Sequence, residues 1–331
     1  MTLTKTVILV AGGAGYIGSH ACKVLALNGY VPVTFDNLET GWQDAVQFGP
    51  FEQGDLLDRP RLDAVFAKWQ PRAVMHFAAL SQVGEAMRDP GRYWRVNVGG
   101  SLNIIEAALA ADCKDFVFSS TCATYGDQDG VMLDEDTPQV PLNAYGASKR
   151  AIEDMISDFA ASDGLRSVIF RYFNVAGADP EGQLGEFHQP ETHLVPLLLD
   201  AVTGKRAALT LNGTDYPTPD GTCIRDYVHV MDIAQAHLKG LQHLEQGKSN
   251  EVFCLGTGTG FSVRDVANQA RVVTNRDVPL IEGPRRPGDA VQLVCGSEKA
   301  RQVLGWTPDL STLPQMIRDA WRWHQGKGFK R

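Results

Sequence analysis

The chain has 331 residues, of which 44% are hydrophobic and 21% charged, and its formal net charge is −8. This is the composition of a globular protein, and the length is sufficient for two domains. The negative charge argues against a nucleic-acid partner, because such a protein needs a basic face to neutralise phosphates. A local pocket can still bind a small anion.

The apolar runs and the cysteines argue against secreted, membrane-spanning, metal-binding and disulfide-bonded proteins. The N-terminal apolar run, residues 7–11, is too short for a signal-peptide core, and no run approaches the ~20 apolar residues of a membrane-spanning helix. The six cysteines form no Cys-x-x-Cys pair and no metal-type spacing with the eight histidines. We therefore expect free thiols in a reducing cytoplasm, no bound metal and no membrane association.

Short apolar runs alternate with helical patterns through the first half of the chain. A strand predicted over 7–10 is followed by apolar residues at helical spacing from 17 to 25 and by Gly29, which can end a helix. Further strands are predicted at 31–35, 53–56, 73–77, 116–118 and 167–170. Because the runs are apolar throughout, both faces of their sheet are expected to be covered. Strand–helix alternation with right-handed crossovers predicts an α/β fold with a parallel, doubly wound sheet.

The character of the sequence changes after Asn174. The stretches 176–190 and 212–221 are rich in glycine, proline or acidic residues and are predicted to be loops. Helices are predicted at 194–202, 231–244, 263–272 and 311–324, and one more strand at 252–255. We expect one domain from 1–174 plus about 225–256, and a smaller C-terminal α/β substrate lobe from about 175–224 plus 257–331.

A glycine motif directly follows the first predicted strand. Glycines 12, 15 and 18 fit the pattern Gly-x-x-Gly-x-x-Gly. The first glycine permits a tight turn, the second lets the backbone approach a pyrophosphate, and the third lets the helix pack on the strand. The pyrophosphate would lie at the positive N-terminus of that helix. We therefore expect Gly12, Gly15, Tyr16, Ile17 and Gly18 to bind a dinucleotide.

An acidic residue, Asp36, ends the second predicted strand, 18 residues after Gly18. A carboxylate at this place accepts hydrogen bonds from the adenosine ribose and repels a 2′-phosphate, which favours NAD over NADP. Asp36-Asn37 is also ordinary turn chemistry, but the preceding strand, glycines and helix favour cofactor binding. Asp55, after the third strand, is expected near the adenine.

Tyr145 and Lys149 are four positions apart and share one face of a helix predicted to continue to about residue 161. The pair alone is weak evidence, and a surface tyrosine with a solvated lysine is the alternative. Its position after a strand that ends in Ser119, Ser120 and Thr121 favours a ligand site. The Lys149 ammonium and a positive nicotinamide ring are expected to lower the pKa of Tyr145. Tyr145 could then take a proton from a substrate hydroxyl while hydride leaves the same carbon, with Thr121 bound to that oxygen.

These motifs resemble the extended short-chain dehydrogenase/reductase family, and the bacterial UDP-glucose 4-epimerases within it. The matching stretches are 12–20, 36–38, 76–79, 83–85, 97–98, 119–121, 145–149, 171–174, 221–230 and 285–289. The glycine and Tyr/Lys motifs are common to the superfamily, whereas 172–174 and 221–230 are typical of the epimerase branch. The resemblance implies a Rossmann fold and interconversion of UDP-glucose and UDP-galactose. Hydride would pass from sugar C4 to tightly bound NAD and return to the opposite face of the 4-keto sugar.

The resemblance also implies roles for further residues. Additional cofactor contacts are implied at Asn37, Leu56, Phe77, Ala78, Ala79, Asn97, Ser119 and Tyr172. Substrate contacts are implied at Thr121, Asn174, Leu194, Arg225, Tyr227, Arg286 and Asp289. Arg225 and Arg286 would bind the diphosphate, because a guanidinium suits phosphate oxygens. Sequence spacing alone favours a simple ion pair between Arg225 and Asp226.

A homodimer is implied through two helices, at about 88–110 and 143–161. The apolar residues of these helices fit a protein core equally well.

Three positions depart from the family pattern. Ser81 replaces a lysine that contacts the cofactor in many relatives, and 191–194 replaces an Asn-Asn-Leu segment, which leaves the role of His193 open. Counting from Asp289, Leu293 occupies the position that governs room for a 2-acetamido group in the family. Its intermediate size leaves acceptance of N-acetylated sugars undecided.

Three other functions compete with this interpretation. A 4-epimerase for UDP-pentoses (xylose/arabinose) or UDP-N-acetylhexosamines would use the same catalytic groups and differ only in pocket shape. A 4,6-dehydratase needs an Asp-Glu pair after the threonine, where this chain has Cys122-Ala123. A non-catalytic NAD-sensing protein on the same fold is the alternative of another class. It has no use for the complete set of catalytic and anion-binding groups.

Overall fold

The computed structural model describes residues 6–128, 130–286, 289–326 and 328–329. Its strands are β1 (Val7–Ala11), β2 (Val31–Asp36), β3 (Phe51–Gln53), β4 (Ala73–His76), β5 (Asp115–Ser119), β6 (Met132–Leu133), β7 (Arg166–Tyr172), β8 (Asn174–Ala176), β9 (Leu209–Asn212), β10 (Ile224–His229), β11 (Glu251–Leu255), β12 (Gly260–Ser262), β13 (Leu280–Gly283) and β14 (Gln292–Cys295).

The helices are α1 (Tyr16–Leu27), α2 (Arg59–Trp69), α3 (Val83–Arg88), α4 (Pro90–Tyr93), α5 (Gly100–Ala110), α6 (Ala144–Asp163), α7 (Leu194–Thr203), α8 (Val230–Glu245), α9 (Val263–Thr274), α10 (Glu298–Leu304) and α11 (Leu313–His324). A π-helical segment, Trp94–Gly99, joins α4 to α5. Among the helices that the structure describes, none has the length and apolar character needed to cross a bilayer.

Seven parallel strands form the main sheet in the order β11-β7-β5-β4-β1-β2-β3. The strand order reverses between β1 and β4, and in such sheets ligands bind in the crevice at the carboxyl ends of the strands beside this point. The predicted doubly wound parallel sheet is confirmed. The third strand differs from its predicted bounds: it ends at Gln53, and Asp55 lies in the following turn, where its Oδ1 accepts a hydrogen bond of 2.8 Å from the Leu57 amide.

Both faces of the main sheet are covered, and β1 shows how. Ile8 and Val10 belong to the core beneath α1 and α8, whereas Leu9 and Ala11 belong to the core beneath α2, α5 and α6. All four side chains are fully buried. Because successive side chains of a strand point to opposite faces, an uninterrupted apolar run is what a sheet covered on both sides requires.

The rest of the chain builds a smaller lobe around a separate core. Strand β10 pairs with β8, β12 and β14, and β9 pairs with β13. Helices α7, α9 and α11 pack over these strands. The chain returns to the main sheet through α8, which packs on α1, and β11, which pairs with β7. The domain division stays a prediction. Strand β10 lies at one predicted domain boundary. It pairs with strands of the smaller lobe, although residues 225–256 were expected in the main-sheet domain.

Candidate active site

A cleft opens at the carboxyl ends of β1 and β4. Its walls include nearly all of the predicted cofactor-binding residues, namely Gly12, Gly15, Tyr16, Ile17, Gly18, Asp36, Asn37, Asp55, Leu56, Phe77, Ala78, Ala79, Ser119, Tyr145, Lys149 and Tyr172. Asn97 lies behind the wall. Its Oδ1 accepts a hydrogen bond from the Leu80 amide (2.8 Å) and its Nδ2 donates to the Leu80 carbonyl (3.0 Å), so it fixes the wall from inside.

The turn between β1 and α1 leaves no room for side chains at two glycines. Gly12 has φ +82°, and a Cβ there would lie 2.5 Å from the Ala78 nitrogen. A Cβ on Gly18 would lie 2.2 Å from the Gly12 carbonyl oxygen. Helix α1 begins after Gly15, and its N-terminus has neither a side-chain cap nor an acidic residue in the first turn as the structure describes it. The amide groups and positive dipole end therefore form a cradle that fits a pyrophosphate.

The carboxylate of Asp36 is fixed at the edge of the cleft. Its Oδ2 accepts a hydrogen bond of 3.0 Å from the Ala14 amide, and its Oδ1 accepts one of 2.9 Å from the Leu38 amide. Burial raises the pKa of Asp36, and these two hydrogen bonds partly offset that effect. Next to it, Asn37 Nδ2 donates to Asp55 Oδ2 at 2.9 Å. The two predicted acidic residues are thus linked along one rim of the cleft.

Tyr145 and Lys149 enter the cleft from the first turns of α6. The helix begins where it does because Asn143 Oδ1 accepts a hydrogen bond of 3.0 Å from the Gly146 amide. Lys149 is 2% exposed, and its Nζ donates to the Ser119 carbonyl at 2.8 Å. Burial lowers the pKa of Lys149 to about 7. This lysine is therefore poised between its charged and neutral forms near neutral pH.

The expected lowering of the pKa of Tyr145 is not found in the protein by itself. Burial raises this pKa to about 12, and the hydrogen bond with Thr121 offsets burial only in part. The Lys149 ammonium lies 4.7 Å from the centre of the Phe118 ring and is hydrogen bonded to the Ser119 carbonyl. The expected lowering combined Lys149 with a positive nicotinamide ring, so it stays a prediction for the NAD-bound protein, in which that charge must offset the loss of water around the hydroxyl.

Three predicted substrate-binding residues lie together in the smaller lobe; we call Arg225, Arg286 and Asp289 the arginine cluster. Asp289 Oδ1 accepts a hydrogen bond of 2.8 Å from Arg286 Nη2 and lies 3.8 Å from Arg225 Nη2. The alternative ion pair between Arg225 and Asp226 is wrong. Asp226 is buried and accepts hydrogen bonds from the Thr257 amide (3.0 Å to Oδ2) and hydroxyl (2.7 Å to Oδ1).

The remaining predicted substrate contacts are dispersed. Thr121 is 8% exposed, and its Oγ1 accepts a hydrogen bond of 3.1 Å from the Ala123 amide. Asn174 is exposed at the start of β8, and Leu194 is half-buried at the start of α7. The ring of Tyr227 packs in the core of the smaller lobe and is 3% exposed.

Several residues of the cleft were not predicted as ligands. Glu39, Thr40, Leu80, Ser120 and His188 line it, and so do Ser81 and His193, whose roles the sequence left open. Burial acts to lower the pKa of His193, but the neighbouring Glu186 and Glu191 carboxylates outweigh burial and raise it to about 9. The available signal was the repeated Glu-x-His spacing at 186–188 and 191–193.

Comparison with known proteins decides the family. Residues 8–256 match the model of the NAD dependent epimerase/dehydratase family. The chain belongs to this family. The predicted membership is confirmed, and with it the prediction of an NAD-dependent enzyme with a Rossmann fold. The residues that form the glycine turn, the Asp36 rim and the Tyr145/Lys149 pair all lie within the matched part of the chain.

Relatives within this family are similar over nearly their whole length. A UDP-glucose 4-epimerase of Rhizobium leguminosarum bv. trifolii is 50% identical over 96% of this chain and 97% of its own. The crystal structure of UDP-glucose 4-epimerase from Brucella ovis in complex with NAD has a TM-score of 0.93 at 45% identity, covering 96% of this chain and 97% of that chain. That of the Bifidobacterium longum enzyme in complex with NAD+ and UDP has a TM-score of 0.92 at 32% identity, covering 96% and 98%.

Proposed function

We propose that this family member is a UDP-glucose 4-epimerase, which interconverts UDP-glucose and UDP-galactose through a 4-keto intermediate. The observation that carries the proposal is that Tyr145 and Lys149 line one cleft with the dinucleotide-type glycine turn, with Thr121 close enough to Tyr145 to act on its pKa. Three curated relatives that cover almost the entire chain carry the same name.

The proposed chemistry assigns a proton to Tyr145. NAD bound in the cleft would supply the hydride acceptor and, on return, the hydride donor. Tyr145 would take the proton from the sugar O4 and give it back to the same oxygen, and Thr121 would orient that oxygen by a hydrogen bond. Burial keeps Tyr145 protonated in the protein alone. Positive charge brought next to it, from Lys149 or from the oxidised nicotinamide, favours the phenolate.

The cleft has the features needed to retain its cofactor through many cycles. Gly12, Gly18 and the N-terminus of α1 would hold the pyrophosphate by backbone groups, and Asp36 would accept hydrogen bonds from the adenosine ribose. Asp55 and Asn37 would border the adenine, with Leu56, Phe77, Ala78, Ala79, Ser119 and Tyr172 as the remaining wall. The main-sheet domain would thus bind NAD, and the smaller lobe the UDP-sugar.

The arginine cluster would bind the diphosphate of the substrate. A guanidinium can donate two parallel hydrogen bonds to phosphate oxygens. In the structure described, Arg286 donates both to Asp289, through Nε to Oδ2 (3.1 Å) and Nη2 to Oδ1 (2.8 Å). We infer that Arg225 and Arg286 exchange Asp289 for phosphate when UDP binds, and that Asp289 then accepts from the ribose diol. Asn174 and Leu194 would border the same ligand.

The dehydratase alternative lacks an acid/base pair. Cys122 follows Thr121, and burial raises the pKa of its thiol to about 12. Ala123 has no titratable group. Neither side chain can exchange protons with a sugar near pH 7, so the elimination of water that a 4,6-dehydratase needs has no catalyst at this position.

Leu293, which the family resemblance relates to acceptance of a 2-acetamido group, does not distinguish a hexose from related sugars. Leu293 in β14 is half-buried and packs on the cluster formed by Cys122, Tyr125 and Cys254. A solved structure of a UDP-Glc/GlcNAc 4-epimerase from Campylobacter jejuni has a TM-score of 0.84 at 36% identity and covers 97% of this chain and 99% of that chain. UDP-pentoses and N-acetylated UDP-hexosamines are therefore included in the test below.

We also propose a homodimer formed by the faces of α5 and α6. Ile105, Ile152 and Ile156 are buried in the core of the main-sheet domain, so they do not contribute. Trp94 and Leu102 are 44% and 37% exposed on the continuous π–α segment. Trp94→Glu should convert the dimer to a monomer in size-exclusion chromatography, because a buried interfacial charge is costly. Leu27→Glu, at a 72%-exposed leucine of α1, should leave the dimer intact.

The six cysteines are free thiols in the structure, which supports a cytoplasmic location, where thiols stay reduced. In that compartment the reaction would connect galactose metabolism to the nucleotide-sugar pool.

The test is incubation of purified protein with UDP-galactose and no added NAD, with the products resolved by chromatography. Release of UDP-glucose would support 4-epimerisation with retained cofactor. Conversion of UDP-xylose or UDP-N-acetylglucosamine in place of UDP-galactose would move the assignment to those sugars. If no sugar reacts even when NAD is supplied, the epimerase proposal is wrong.

A further inference from the structure

Four metal-binding side chains converge on the loop between β8 and α7. One ligand atom each of Glu186, His188, Glu191 and His193 lies within 4.8 Å of the other three. His188 Nδ1 lies 3.4 Å from Glu191 Oε2 and 3.6 Å from Glu186 Oε1, and His193 Nδ1 contacts the same Glu186 oxygen. Ligands bonded to one tetrahedral zinc ion are about 3.3 to 3.5 Å apart. The spacing of this Glu/His cluster is close to that of a zinc site.

The carboxylates of the Glu/His cluster are held in place by other contacts. Glu191 Oε1 accepts hydrogen bonds from the amides of Thr192 (2.7 Å) and His193 (2.9 Å). Its Oε2 therefore faces His188. Glu186 is 8% exposed, so its carboxylate is removed from water and needs a cationic neighbour. These contacts orient the two carboxylates before any ion binds, as outer contacts of metal ligands do.

The loop backbone is fastened to both parts of the molecule. Trp42 Nε1 donates to the Phe187 carbonyl at 2.8 Å, and Trp323 Nε1 donates to the Glu186 carbonyl at 3.0 Å. Near the start of the loop, Asp179 forms a buried ion pair of 2.8 Å with Lys23 of α1. Side chains on such an anchored loop keep their relative positions, unlike those on a free surface loop.

One histidine nitrogen of the cluster has carboxylate neighbours but no well-formed hydrogen bond. His188 Nδ1 is a buried atom that makes no hydrogen bond of ordinary geometry to the residues that the structure describes, although two carboxylates face it. Buried polar atoms are rarely left without a partner, and a bound ion is one of the accepted reasons. An ion among the four ligand atoms would satisfy this nitrogen and both carboxylates together.

We propose that Glu186, His188, Glu191 and His193 bind one Zn²⁺ ion. Two imidazole nitrogens and two carboxylate oxygens suit zinc, whereas Mg²⁺ and Ca²⁺ prefer oxygen ligands alone. His188 and His193 also line the cofactor cleft. The ion would therefore cross-link residues 186–193 of the loop between β8 and α7 at the edge of the cleft. The expectation from cysteine and histidine spacing missed this site because half of its ligands are glutamates.

The test measures metal binding directly and does not depend on the proposed sugar substrate. Tag-free protein is titrated with Zn²⁺ against a chromophoric chelator, and separately with Co²⁺, whose visible absorption reports coordination geometry. We expect one Zn²⁺ per chain, a cobalt spectrum of the intense, tetrahedral kind, and a higher thermal unfolding temperature with Zn²⁺. Absence of stoichiometric binding, or a weak octahedral cobalt spectrum, overturns the proposal.

Two variants and a control assign the site. His188→Gln combined with His193→Gln should weaken Zn²⁺ binding by at least about 100-fold. Glu191→Gln keeps an oxygen that can accept from the Thr192 and His193 amides, so its loop should keep its structure. This variant should bind Zn²⁺ more weakly than the wild type, and it tests the site even if the double variant fails to fold. His324→Gln removes a histidine paired with a single carboxylate, Asp200 (3.4 Å), and should bind Zn²⁺ like the wild type. Equal binding by Glu191→Gln and the wild type contradicts the proposal.

Discussion

The cofactor cleft and the arginine cluster are built by different physical means. In the cleft, positions are fixed by the backbone, as at Gly12 with φ +82°, and by buried groups such as Lys149, which is 2% exposed. In the arginine cluster, Arg286 has 54% of its side chain exposed, and Asp289 is its ion-pair partner among the residues that the structure describes. Exposed ion pairs contribute little and exchange partners easily. The first arrangement suits a ligand that stays, and the second a ligand that leaves after every turnover.

The sharpest test of the cleft is Tyr145→Phe. If this hydroxyl transfers the proton, its loss should reduce kcat by about 10²–10⁴-fold, the range of general acid–base catalysis. KM for UDP-galactose should change little. Steady-state assays on protein with a wild-type unfolding temperature measure both constants. Tyr30→Phe removes a hydroxyl that donates to Glu245 (2.9 Å). Tyr30 is not among the residues that line the cleft, so this variant should retain full activity. A Tyr145→Phe enzyme with near-normal kcat would remove the tyrosine from the mechanism.

The arginine cluster is tested by Arg286→Ala. Loss of a charge-assisted hydrogen-bonding group of about 1.5–3 kcal/mol should raise KM for the UDP-sugar by about 10- to 100-fold and leave kcat nearly unchanged. Arg285→Ala is the matched control, because this arginine pairs with Asp215 (2.8 Å) outside the cluster. If both variants raise KM equally, the assignment of the diphosphate to the cluster is wrong.

Gly18→Ala tests whether the cleft depends on close backbone approach. The new Cβ would lie 2.2 Å from the Gly12 carbonyl, so we expect a loss of about 1–3 kcal/mol in the free energy of unfolding, as for other overpacked sites. The fraction of protein purified with NAD should fall as well. Gly84→Ala lies in α3, where a Cβ would meet nothing within 4 Å. This control should be as stable as the wild type or slightly more stable in urea unfolding, with unchanged NAD content. Wild-type stability of Gly18→Ala would show that the turn relaxes.

Lys149 gives a predicted pH dependence of stability in cofactor-free protein. Its pKa is about 7 in the folded chain and about 10.4 when unfolded. Between these values the unfolded chain binds a proton that the folded chain does not, so stability rises with pH by at most about 1.4 kcal/mol per unit. Urea unfolding of Lys149→Met should lack this rise above pH 7. Below pH 7 the stability curves of the wild type and Lys149→Met should run parallel, because Lys149 is then protonated in both the folded and the unfolded wild type. Parallel curves at every pH would place the lysine pKa outside this window.

The fold and the cofactor side of the site were largely predictable because their signals are local in sequence. The apolar runs, the three spaced glycines and the four-residue interval between Tyr145 and Lys149 each lie within one or two neighbouring elements. The spacing therefore determines which face they share. The family resemblance extended this to residues such as Phe77 and Tyr172, which do line the cleft.

What only the tertiary structure decided depends on burial and on segments far apart in the chain. Sequence places a cation four residues from Tyr145, but the surroundings that raise the pKa of the hydroxyl to about 12 come from packing. The same holds for Arg225, which lies near Asp289 and not beside its sequence neighbour Asp226. The Glu/His cluster also depends on folding, because its loop is held by Trp42 and Trp323 from distant parts of the chain. Sequence periodicity specifies faces of helices and strands, whereas charge states and long-range partners follow from how those faces pack.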